Sequence, residues 1–171
     1  MSDASEPAGR SPQRHEVLLM RHAKSSWKDP KLADHDRPLK KRGRRDAVRM
    51  AEFLVEQNLV PDRIVSSSAA RARETADLVA SHLGNLTVET LSRLYHAEAD
   101  IWRSVLAELP GNGRTLLVGH NPGIEELLSV ITEGDVTVPT AAVAHLRLRP
   151  DRLFLSLDGL ELCDVYRPKE I

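Results

Sequence analysis

Two arginines and two histidines stand just after short strand-like runs of the chain, where parallel sheets often place their reactive side chains. Arg21 and His22 follow the first run directly, Arg71 lies a few residues past the second, and His120 follows the third after one glycine. If the three strands are parallel and adjacent, their carboxyl ends meet at one sheet edge and the four side chains share one pocket. The three runs are Val17–Met20, Arg63–Ser66 and Thr115–Val118.

Four potential cations in one pocket are unfavourable unless an anion balances them. A phosphate dianion fits, because guanidinium forks match its oxygens and helix N-termini after Ser68 and Pro122 add backbone donors. The chain has no Gly-x-x-x-x-Gly-Lys-Ser loop, and its single cysteine, Cys163, is not part of a Cys-x5-Arg motif. The remaining nucleophile of the right kind is a histidine, whose neutral nitrogen can attack phosphorus to form a phosphohistidine. The arginines would stabilise the charge that shifts in the transition state.

Strands alternate with helices through most of the chain, which predicts an α/β fold: a three-layer α/β/α sandwich with a mostly parallel central sheet. A polar stretch from Ser25 to Pro38 is expected to be a long, functional loop. Two last strands, Ala142–Leu148 and Leu153–Leu157, are expected to form a hairpin that adds an antiparallel edge. The predicted helices span Leu39–Asn58, Ala69–Leu83, Ala99–Leu109 and about Ile124–Ile131, and a weaker strand spans Leu86–Leu91.

Three motifs of the chain together resemble the histidine phosphatase superfamily. The stretch Leu19–Ala23 is similar to its Arg-His-Gly signature, with Ala23 in place of the glycine, and Ser67–Ala76 resembles its Ser-Pro-x-x-Arg-Ala-x-Gln-Thr-Ala block. The stretch Val118–Pro122 resembles its Gly-His-Asn-Pro block, and Arg37–Gly43 is similar to its Arg-Pro-Leu-x-x-x-Gly step. The short length and these variants resemble the SixA-type phosphohistidine phosphatase branch.

The resemblance implies a phosphoglycerate mutase-like fold and a role for each motif residue. His22 is implied to be the nucleophile, Arg21 and Arg71 to grip the phosphate, and His120 to hydrogen-bond a phosphate oxygen. Arg37 is expected to line the same phosphate pocket. The resemblance also implies that water hydrolyses the phosphohistidine and that no metal or other cofactor takes part.

A proton donor is missing where the resemblance would place one. Mutase-like members supply a glutamate after the third strand, but the matching stretch here, Leu91–His96, contains no acid. Glu98 and Asp100 lie slightly later and are alternative candidates. An imidazole that leaves a phosphohistidine needs less protonation than an alkoxide, which favours a phosphoramidate or another activated substrate.

Length and composition set the wider expectations. The 171 residues suit a single domain over residues 15–171, after a leader, residues 1–14, that is rich in Ser, Pro, Ala and Gly and expected to be disordered. The net charge of -1 argues against a partner that is nucleic acid or a membrane surface. One cysteine, no secretory signal and no membrane-spanning run favour the cytoplasm.

The substrate stays open at this stage. No cap insertion is evident, so the pocket is expected to be shallow and open, which favours phosphohistidine on a phosphorylated protein. A small phosphorylated substrate is the alternative, and a non-catalytic phosphate-binding module is another. A zinc site from His22, His35 and His120 is conceivable, but two arginines would repel the metal. Tyr95 and the other histidines are expected to be packing, pocket-wall, strand or surface residues.

Overall fold

Six strands and four α-helices form the fold in this computed structural model, which describes residues 15–152 and 156–171. None of the described helices is both long and apolar enough to cross a membrane. The predicted leader, residues 1–14, lies outside the described residues, so the domain boundaries stay a prediction. The strands are β1 (His15–Arg21), β2 (Arg63–Ser67), β3 (Val88–Leu91), β4 (Gly113–Gly119), β5 (Val143–Leu148) and β6 (Leu160–Tyr166). The helices are α1 (Lys41–Glu56), α2 (Ala70–His82), α3 (Ala99–Glu108) and α4 (Gly123–Thr132).

The strands form one sheet in the order β3-β2-β4-β1-β5-β6. Strands β1 to β4 run parallel, whereas β5 is antiparallel to β1 and β6 is antiparallel to β5. The predicted mostly parallel sheet with an antiparallel edge is therefore confirmed. Because β2, β4 and β1 are neighbours, the residues that follow their carboxyl ends lie side by side. The pairing of Arg21 with Gly119 puts the ends of β1 and β4 level.

Helices cover both faces of the sheet, which explains why β1 is a continuous apolar run rather than an alternating one. Leu18 and Met20 pack with α1 and α2 on one face. Val17 and Leu19 pack with α3 and α4 on the other face. All four side chains are fully buried. The fold is thus the three-layer α/β/α sandwich that the sequence predicts.

The hairpin predicted between Ala142–Leu148 and Leu153–Leu157 is wrong, because β5 pairs with β1 and β6. Of the segment Leu153–Leu157, residues 153–155 lie outside the described residues, and Leu157 begins a 3-10 turn. The antiparallel partner of β5 is instead β6, which follows that turn. A register shift in the β5–β6 pairing disturbs the period of two, so that Leu160 and Val165, five positions apart, are both buried. This irregular spacing hides β6 from a search for strict alternation.

Two close contacts anchor the chain just after β1 to the helices on that face. Gly43 of α1 approaches the main chain so closely that a Cβ there would lie 2.2 Å from the carbonyl oxygen of Lys24. The backbone N–H of Ala23 donates to the hydroxyl of Thr75 in α2 at 3.0 Å. The segment that follows His22 is therefore fixed by both α1 and α2.

Candidate active site

The four residues predicted from the strand ends converge at the carboxyl edge of the sheet. His22 and His120 follow β1 and β4, and their ring centroids lie 5.0 Å apart. The backbone N–H of His22 donates to the carbonyl oxygen of Gly119 at 2.9 Å, which continues the β1–β4 pairing past the end of β1. Arg71, in the first turn of α2, places its Nε 3.3 Å from Nε2 of His22. The side chains of His22, Arg71 and His120 are buried, whereas Arg21 is partly exposed.

Hydrogen bonds assign the proton of the neutral His22 ring to Nδ1. This atom lies 2.8 Å from the carbonyl oxygen of Ala23, which can only accept, so Nδ1 donates. Nε2 then carries a lone pair, which accepts the Nε–H of Arg71. Burial, together with the charges of Arg71, Arg21 and Arg37, lowers the pKa of His22 to about 4, although the Ala23 hydrogen bond acts in the opposite direction. Near neutral pH the ring is therefore uncharged, with its lone pair on Nε2.

His120 is oriented through its Nε2, which lies 2.7 Å from the hydroxyl of Ser67 at the end of β2. Its Nδ1 is buried and has no hydrogen-bond partner within the described part of the chain. Burial, followed by the proximity of His22 and Arg71, lowers the pKa of His120 to about 3. Both imidazoles are thus neutral near pH 7, so the positive charge of the pocket comes from its arginines.

The two pocket arginines differ in how they are held. Arg71 donates from Nη1 to the carbonyl oxygen of Asp34 at 2.7 Å and from Nη2 to its carboxylate at 3.1 Å. Arg21 donates from Nη1 to the carbonyl oxygen of Val138 at 3.1 Å. Its buried Nε has no hydrogen-bond partner among the described residues. Burial lowers the pKa of Arg21, but an arginine stays charged at neutral pH, so both guanidiniums can attract an anion.

Arg37, the fifth predicted residue, is buried, and its described contacts are with Asp34, Ser25 and Trp27 rather than with the other four. It donates from Nε to the carboxylate of Asp34 at 3.1 Å and from Nη1 to the hydroxyl of Ser25 at 3.0 Å. Its guanidinium carbon lies 3.4 Å from the ring centroid of Trp27, an indole that is 73% exposed. Arg37 reaches the pocket through Asp34, and direct contact with a bound phosphate stays a prediction.

Asp34 lies at the centre of this network, although the sequence analysis did not single it out. One carboxylate oxygen accepts from Arg37, and the other accepts from Arg71 and from the hydroxyl of Tyr95 at 2.7 Å. Burial alone would raise the pKa of Asp34, but the Tyr95 hydrogen bond and the charges of the two arginines lower it to about 2. The carboxylate is therefore ionised at neutral pH. The only sequence signal was an acid three positions before Arg37, and that spacing is too common to be informative.

Aromatic rings form part of the pocket wall. Tyr95 lies edge-on to His120, with ring centroids 5.7 Å apart, and packs against His96 at 4.0 Å. His35 lies edge-on to Tyr95 at 4.9 Å, and its Nε2 is 3.0 Å from the hydroxyl of Ser68. Tyr95 and His96 are thus pocket-wall residues, as the sequence analysis expects. Residues 15–152 and 156–171 contain no group of three or more His, Cys, Asp or Glu side chains that could hold a metal ion.

The shallow, open shape expected for the pocket stays a prediction. Asp34 and Tyr95 contact the buried Arg71 and His120 from the partly exposed rim. Glu98 and Asp100, the alternative proton donors, instead line a neighbouring surface cleft at the start of α3. The described hydrogen bonds of the four pocket residues do not include these two carboxylates.

Comparisons with known proteins add to this geometry. An uncharacterized protein of Mycobacterium tuberculosis is 35% identical over 142 residues, which cover 75% of this chain and 87% of the relative. An uncharacterized chloroplastic protein of Arabidopsis thaliana is 30% identical over 77% of this chain, and the match spans 65% of the length of that relative. A crystal structure from Agrobacterium tumefaciens, provisionally named phosphohistidine phosphatase SixA, has a TM-score of 0.78 at 28% identity. That match covers 93% of this chain and 100% of the other.

A family model supplies the assignment. The model described as the histidine phosphatase superfamily, branch 1, matches residues 17–110. This span includes most of β1, the loop that carries Asp34 and Arg37, and the start of α2 with Arg71. The phosphoglycerate mutase-like architecture implied by the sequence motifs is confirmed by the same findings. The chain therefore belongs to the histidine phosphatase superfamily.

Proposed function

We propose that this protein is a phosphatase that carries the phosphoryl group on Nε2 of His22 and takes it from phosphohistidine on a protein. The observation that carries the proposal is the state of the His22 ring. Its Nδ1 donates to the Ala23 carbonyl, and its Nε2 is unprotonated, with its lone pair facing the guanidinium of Arg71. This is the arrangement that attack on a phosphoryl group requires.

In the first step the lone pair of Nε2 forms a bond to phosphorus, and the bond from phosphorus to the leaving group breaks. The electron pair of the broken bond departs with the leaving nitrogen. Arg21 and Arg71 stabilise the charge on the equatorial oxygens, and the buried Nδ1 of His120, which has no partner among the described residues, is the candidate donor to one of them.

In the second step water attacks the phosphorus of phospho-His22. A P–O bond forms, the P–Nε2 bond breaks with its electron pair returning to Nε2, and the proton of the water passes to a phosphate oxygen or to solvent. Throughout both steps, Nδ1 of His22 keeps its proton and donates it in the hydrogen bond to the carbonyl oxygen of Ala23. The ring therefore leaves as a neutral imidazole, which is a much better leaving group than an imidazolide anion.

The preference for phosphohistidine rests on the acid–base groups of the pocket. Asp34, with its pKa lowered to about 2, holds no proton to give near pH 7, and both pocket histidines are neutral. An alkoxide leaving group would need a proton from the enzyme, whereas an imidazole that carries a proton on its other ring nitrogen departs as the neutral ring without one. The SixA designation of the Agrobacterium tumefaciens structure supports the same substrate class.

The test combines trapping of the intermediate with a choice of substrates. Wild type, His22→Asn and a control, His82→Asn at an exposed helix position, are mixed with a 32P-phosphohistidine protein and quenched within milliseconds. We expect acid-labile label on wild type and the control and none on His22→Asn. A panel of small phosphate monoesters should turn over more slowly than the phosphoprotein. Faster monoester turnover would identify a small-molecule phosphatase, and an unlabelled wild type would favour a binding module.

A further inference from the structure

The carboxylate of Asp34 pairs with two arginines, Arg71 and Arg37. Asp34 binds Arg71 through its carbonyl oxygen at 2.7 Å and its carboxylate at 3.1 Å, and it binds Arg37 through its other carboxylate oxygen. Tyr95 donates a further hydrogen bond to it. We propose that Asp34 is a resident counter-anion that holds Arg71 until a phosphoryl group replaces it, and that competes with free phosphate for Arg71.

The competition between Asp34 and phosphate follows from the hydrogen bonds that Arg71 already makes. Both terminal nitrogens point to Asp34, and Nε points to His22. Asp34 and His22 engage three of the five N–H groups of Arg71, so a phosphate dianion binds through the two that remain or displaces Asp34 from the fork. The carboxylate would then lie next to the dianion, and two like charges at that distance repel. Asp34 therefore weakens the binding of any oxyanion, including the phosphate product.

The other contacts of Asp34 make the exchange reversible. Arg37 and Tyr95 hold the carboxylate at the rim independently of Arg71. When Arg71 turns to a phosphoryl group, Asp34 keeps these two partners and stays within reach. It can reclaim Arg71 when phosphate departs, so the resting pocket is electrostatically balanced and product release is faster.

The same exchange exposes the nucleophile. In the resting pocket the Nε–H of Arg71 lies on the lone pair of His22 Nε2 at 3.3 Å. Because Asp34 binds both terminal nitrogens of that guanidinium, it also keeps Nε of Arg71 in place beside His22. A phosphoryl group that draws Arg71 from Asp34 frees Nε2 at the moment it arrives. Asp34 is thus a positioning residue that acts through Arg71.

This inference rests on the proposed function and is tested by oxyanion binding. Calorimetric titrations with tungstate and with inorganic phosphate compare wild type, Asp34→Asn and Asp34→Ser. The control is Asp36→Asn, two positions away, which pairs only with His35 among the described salt bridges. We expect both Asp34 variants to bind each anion about tenfold more tightly than wild type, and the control to be unchanged.

Steady-state kinetics give a second readout. For Asp34→Asn, KM and the inhibition constant for phosphate should fall together by about tenfold, a gain that loss of a purely structural contact would not produce. Equal or weaker oxyanion binding by both variants would overturn the role of Asp34 and leave the proposed function intact. Failure of wild type to bind either anion would overturn the proposed function, and this inference with it.

Discussion

The pKa of His22 distinguishes this pocket from an ordinary histidine site. A histidine with the usual pKa of about 6.5 is roughly nine-tenths protonated at pH 5.5. With its pKa lowered to about 4 by burial and the nearby arginines, His22 is only roughly 3% protonated at that pH. We therefore expect the ring to stay neutral and nucleophilic down to about pH 5 in phosphate-free buffer.

The same change in pKa links stability to pH. The unfolded chain binds a proton at this histidine near pH 6.5, whereas the folded protein binds it only near pH 4. Between these values the unfolded state holds more protons, so the free energy of unfolding decreases as pH falls through that window. Below about pH 4 both states are protonated and the effect is complete. The contribution of His22 is roughly 3 kcal/mol over the whole window.

Two measurements check these expectations. NMR spectra of 15N-labelled histidines across the acid range should show His22 as the Nδ1–H tautomer, with a titration midpoint below about pH 5. Urea unfolding at the same pH values should show a steeper acid loss of stability for wild type than for His22→Asn. A midpoint near 6.5, an Nε2–H tautomer or equal pH dependence of the two proteins would refute the assignment.

Three further substitutions have defined outcomes. Arg71→Gln should slow formation of the phosphoenzyme by about a hundred- to a thousand-fold in rapid-quench assays. The control Arg73→Gln, on the exposed side of α2, should leave that rate unchanged. Equal rates for the two variants would remove Arg71 from the mechanism. Gly43→Ala should lower the free energy of unfolding in urea by about 1–3 kcal/mol, because its Cβ meets a backbone oxygen at 2.2 Å, even though alanine ordinarily stabilises a helix. The matched Gly111→Ala has open space and should change stability by less than about 0.5 kcal/mol, so a stabilised Gly43→Ala would contradict the packing. Trp27→Ala should lower kcat/KM for a phosphohistidine protein by about tenfold but not for phosphoimidazole, because the exposed indole is available to pack against a protein substrate. An equal loss on both substrates would exclude a docking role.

The central parallel strands could be predicted from the sequence because β1, β2 and β4 are covered on both faces. The apolar run Val17–Met20 marks β1, yet the strand begins two residues earlier, at His15. Glu16 is a charged residue in this buried extension and forms an ion pair with Arg114 of β4. Partners across a sheet are not visible in a local pattern, so strand ends of this kind could not be predicted. The register shift that hid β6 is likewise a property of the pairing.

The pocket was partly predictable for a related reason. Arg21 ends β1, and His22, Arg71 and His120 each come after a strand end; the parallel topology brings these strand ends together. Asp34 belongs to a long loop without periodicity, and only the folded loop places its carboxylate between two arginines. The sequence therefore indicated the groups that could bind a phosphate and missed the group that balances them in the resting pocket.

The position of the phosphoryl group is tested most directly by 31P NMR of the trapped intermediate. Wild type is labelled with a phosphohistidine protein, denatured in alkali to preserve phosphoramidates, and compared with authentic phosphohistidine isomers. The Nδ1–H tautomer of His22 and the lone pair beside Arg71 predict a single signal at the Nε2 isomer, absent from His22→Asn. A signal at the Nδ1 isomer, or one that persists in His22→Asn, would contradict the assignment of the nucleophile.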